Sequence, residues 1–179
     1  FTVDTTAAAP TLALNTDSGS SATDGITNAG TVNVTGLESG ATWEYSTNSG
    51  TSWTAGTGTS FTLAADTYAI NAVQVKQTDT AGNTSDAGKN AAAITVDSTG
   101  AVFSSGTTAT TPINTATSVV VYDASATDNG AAADAGITYS LGGTDVALFD
   151  IAANGQVTYK ASPSAAGSSS FSVTATDAA

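Results

Sequence analysis

The sequence predicts an all-β chain: two tandem antiparallel β-sandwich modules, residues 1–97 and 98–179, the second lacking its last strand. Three observations carry this expectation. Short apolar runs with a period of two recur along the whole chain, separated by turns rich in Gly, Asn and Ser. Thr, Ser, Ala and Gly dominate the rest, a mixture that disfavours helices and favours short strands. The segment Phe1-Thr2-Val3-Asp4-Thr5-Thr6 is echoed by Ile94-Thr95-Val96-Asp97-Ser98-Thr99, which marks a module junction. A second echo sets Val75-Lys76-Gln77-Thr78-Asp79 beside Val173-Thr174-Ala175-Thr176-Asp177, so each module ends a long strand with Thr-Asp.

In the first module the alternating pairs are Leu12/Leu14, Val32/Val34, Trp43/Tyr45, Phe61/Leu63, Tyr68/Ile70 with Val73/Val75, and Ile94/Val96. They predict six or seven strands. The parity change between Ile70 and Val73 predicts a bulge, since one face cannot otherwise stay apolar. Asn48-Ser49-Gly50 and Ala55-Gly56-Thr57-Gly58 supply turns. In the second module the pattern recurs at Val119/Val121, Ile137/Tyr139/Leu141, Phe149/Ile151, Val157/Tyr159 and Phe171/Val173, with Asn154-Gly155 as a hairpin signal. A strand that closes the sheet is expected after Thr176-Asp177 and is not in the sequence, so one edge is expected to be frayed or completed from elsewhere. Because it opens inside a strand and stops abruptly, the chain is expected to be a piece of something longer.

The composition excludes most chemistries. The chain has no cysteine, histidine or arginine, so thiolate chemistry, imidazole metal sites and the usual nucleophile–base pairs are unavailable. A paired-carboxylate hydrolase stays formally open, but nothing resembles a substrate cleft and the chain is expected not to be an enzyme. Three lysines face thirteen aspartates and two glutamates, a net charge of −12, which excludes nucleic acid as a partner. No run of 18 apolar residues and no signal peptide are visible, so this segment is not expected to insert in a membrane.

The acidic residues fall where a hard cation would sit. Connections at one end of a sandwich converge although far apart in sequence. For the first module these positions carry Asp4, Glu38 and Asp79. Three like charges repel unless a cation neutralises them, and calcium (Ca2+) accepts six to eight oxygens in forgiving geometry. The alternative is separate solvated acids. At the opposite end, Asp24 and Asn28 in the loop 17–28 join the exit residue Asp97, as a second calcium site or as turns held by Asx hydrogen bonds. At the junction, Asp97 is joined by Asp128, Asp134 and Asp177. An ion there would remove hinge freedom. Trp43 shares a face with Tyr45 and reads as core, whereas Trp53 leaves open a stacked sugar.

The first module, through Val3-Asp4-Thr5-Thr6-Ala7, Asp24-Gly25-Ile26-Thr27-Asn28, Trp43-Glu44-Tyr45-Ser46, Ser52-Trp53 and Gln77-Thr78-Asp79-Thr80-Ala81-Gly82-Asn83, resembles a bacterial Ig-like repeat of giant RTX-type adhesins. The second, through Ala126-Thr127-Asp128, Ile137-Thr138-Tyr139-Ser140-Leu141, Phe149-Asp150-Ile151, Gly155-Gln156-Val157-Thr158 and Val173-Thr174-Ala175-Thr176-Asp177, resembles a cadherin-like repeat. The resemblance implies extracellular display on a bacterial surface, type I export and calcium at module junctions. It places Asp128 and Asp177 at ligand positions; Gly130 replaces the second acid of the family's Asp-x-Asp, with Asp134 as a substitute. The implied function is a calcium-rigidified extender that projects a distal adhesive domain, monomeric and partnered by neighbouring repeats of its own chain. The alternatives are direct binding of a glycan or peptide in adhesion, here or through an adjacent module, and an accessory region of a secreted hydrolase.

Overall fold

The structure, a computed structural model, describes residues 3–19, 21–128 and 136–179. It is all-β, and among the described residues the only helical element is a 3-10 turn at Val146–Leu148. No described helix is long and apolar enough to cross a membrane. The chain forms two compact units, one running to Ser98 and one starting at Thr99.

The first unit contains β1 (Thr11–Leu14), β2 (Ile26–Thr27), β3 (Thr31–Thr35), β4 (Thr42–Ser46), β5 (Thr54–Ala55), β6 (Ser60–Thr62), β7 (Asp66–Tyr68), β8 (Gln74–Thr78), β9 (Gly88–Lys89) and β10 (Ile94–Val96). They form three sheets, in the orders β1-β3-β6, β5-β4-β8-β9 and β2-β10-β7. Every pairing is antiparallel except that of β10 with β2. Alternation sets the inner faces: Leu12 lies opposite Val34, Val32 opposite Phe61, and Tyr45 opposite Val75. The first two sheets meet across these side chains, with Tyr45 stacked on Phe61 at 4.2 Å and Trp43 6.1 Å from the same ring. Trp43 is buried in the core, and its Nε1–H donates to the Gly58 carbonyl at 3.0 Å. Gly56 lies flat against its indole, where any Cβ would collide with the ring.

The parity change near Ile70 has another cause than a bulge. β7 and β8 belong to different sheets, and Ala69–Val73 carries the chain from one to the other. Asn71 adopts a positive φ of 65°, and Ala72 N–H closes the turn on the Ala69 carbonyl at 3.0 Å. Buried Asn90 holds the crossing: its Nδ2 donates to Ala69 O at 2.8 Å and its Oδ1 accepts from Val73 N–H at 2.9 Å. Ile70 is thereby turned to solvent, 58% exposed.

The second unit contains β11 (Val102–Phe103), β12 (Val120–Asp123), β13 (Ala126–Thr127), β14 (Thr138–Gly142), β15 (Phe149–Ile151), β16 (Gln156–Tyr159) and β17 (Ser172–Thr176). Its sheets are β11-β13, β12-β16-β15 and β14-β17. The Asn154-Gly155 hairpin forms between β15 and β16, with Gly155 at a φ of 87°. A register shift in β12 falls at Val121. The core is small: Val121, Phe149 and Val157 are buried, while Tyr122, Leu141, Ile151, Tyr159 and Phe171 are only partly covered. Among the described residues β17 pairs only with β14, whereas β8 in the first unit has β4 on one side and β9 on the other.

Candidate functional site

One end of the first unit is organised by a residue without charge. Gln77 follows Val75 on the inward face of β8 and is 1% exposed. Its Nε2 donates to Ala8 O at 2.7 Å and Gly36 O at 3.0 Å, and its Oε1 accepts from Glu38 N–H at 2.8 Å. One side chain therefore joins the start of the chain, the loop after β3 and the end of β8. Glu38 adds to the clamp, its Oε1 accepting from Ala8 N–H at 2.8 Å. Asp79, two residues beyond Gln77, is buried; Oδ1 accepts from Ala81 and Asn83 N–H, both at 2.8 Å, and Oδ2 from Asn83 Nδ2 at 2.7 Å. The Asn83 side-chain amide, helped by backbone N–H groups of the same turn, holds the Asp79 carboxyl below the ordinary carboxylate range. Exposed Asp4 caps its own turn, accepting from Thr6 N–H at 3.3 Å. The three predicted acids each bind backbone donors, and Glu38 and Asp79 share an end through Gln77.

The loop 17–28 is held by local side-chain bonds. Asp24 Oδ1 accepts from Ile26 N–H at 3.0 Å, an Asx turn. Ser18 Oγ donates to Asn28 Oδ1 at 3.0 Å and accepts from Asn28 N–H at 2.9 Å. Asp17 Oδ2 accepts from Gly25 N–H at 3.0 Å, while its buried Oδ1 has no hydrogen-bond partner among the described residues. Asp97 follows β10, 2% exposed, its N–H donating to Thr27 O at 2.9 Å.

In the second unit the start of the unit and the ends of two strands come together. Asp128 directly follows β13, is 7% exposed, and its Oδ1 accepts from Thr99 Oγ1 at 3.0 Å. β13 is tied to β14 by Ala126 N–H donating to Tyr139 Oη at 3.0 Å, and Thr138 of β14 lies opposite Thr176 of β17. Asp177, immediately after β17, therefore belongs to the same end. Asp134 lies outside the described residues. Among the described residues no three acidic side chains gather closely enough to hold a metal ion. A cation at this end would draw most of its oxygen shell from main-chain carbonyls and water.

Trp53 is half-buried, and Lys76 Nζ lies 4.2 Å over its ring while pairing with Glu44 at 3.3 Å. That face of the indole is occupied by the protein's own cation. Sequence reading missed Gln77 and Asn90, which organise the loops; their signal is an amide at a buried position beside apolar strands. No family model, no curated protein and no solved structure matches the chain.

Proposed function

We propose that the chain is a spacer of a large bacterial surface adhesin, built from an Ig-like and a cadherin-like repeat, that holds a distal binding domain away from the cell. The observation that carries this reading is the use made of the acidic side chains. Asp4, Asp24, Glu38 and Asp79 each accept backbone N–H bonds at loops instead of converging on a reacting point. Such carboxylates stabilise shape.

Calcium is the proposed ligand, at the end of the second unit that carries Asp128 and Asp177. What supports it is placement: buried Asp128, right after β13, and Asp177, right after β17, bring two carboxylates to one end of the unit in a chain of net charge −12, and calcium is a hard cation that takes oxygen ligands. Extracellular location and partnership with neighbouring repeats follow from the same reading. The test is calcium titration of the full chain, followed by thermal melts and by solution scattering. Saturating calcium stabilises by mass action, about 2.7 kcal/mol at a hundred times Kd. Melting temperature and scattering profile that stay the same in calcium and in chelator would sink the proposal.

A further inference from the structure

We draw no further inference here: the strongest candidate, the uncharged cavity of about 1000 Å³ in the second unit that residues 105–113 and 161–170 wall over Phe149 and Phe171, carries nothing, because nothing in the structure shows what covers it.

Discussion

Gln77 joins three separate segments of the first unit through one side chain. Replacing it with Leu keeps the volume but leaves Ala8 O, Gly36 O and Glu38 N–H without their partner. Buried groups so orphaned cost about 1–3 kcal/mol each, partly relieved by water, so Gln77→Leu should destabilise the first unit by about 3 kcal/mol in urea unfolding. Gly56→Ala tests packing alone, because Gly56 has no positive φ and its Cβ would meet the Trp43 ring. A loss of about 1–3 kcal/mol and a changed near-ultraviolet signal of Trp43 are expected. Asp79 sets a pH dependence whose sign follows from its lowered pKa. Its stabilisation is full above the ordinary carboxylate range and is lost as pH falls through the lowered folded value. Unfolding curves across acid pH should show this loss in the parent chain and less of it in Asp79→Asn.

At the scale of the element, β12 and β17 should exchange their amides faster than β4 and β8, since each is covered on one side only. Native-state exchange reads this directly; equal protection of β17 and β8 would contradict it. The longer strands were legible because alternation needs only local sequence: Val32/Val34 and Phe149/Ile151 fall in β3 and β15. Two-residue strands such as β2, β5 and β13 carry no period and leave no trace in the sequence. Sheet membership was equally hidden. Tyr68 and Val75 look like one bulged strand, and only Asn71 and the distant amide of Asn90 send them to separate sheets. The candidate acids were legible as loop residues, from their Gly- and Asn-rich neighbours. Their hydrogen bonds were not, because Glu38 and Gln77 meet Ala8 across the fold, not along the chain.

For the whole molecule, a net charge of −12 with two ion pairs among the described residues, Lys76–Glu44 and Lys160–Asp150, makes self-repulsion the long-range term. Added sodium chloride should raise the melting temperature as the Debye length falls from about 30 Å at 0.01 M to about 8 Å at 0.15 M. Calcium should act at lower concentration than sodium can, which separates binding from screening. The single parallel pairing among the described residues, β2 with β10, has a mechanical consequence. Tension applied along the polypeptide pulls β2 toward the start of the chain and β10 toward its end, so the strands are dragged past each other. The bonds from Thr95 N–H to Gly25 O and from Asp97 N–H to Thr27 O are then strained together, at 2.8 and 2.9 Å, and must break together. In single-molecule stretching the first unit should rupture in one high-force event, set by its unfolding rate rather than its equilibrium stability. Thr95→Pro, which deletes one of the two bonds, should lower that force.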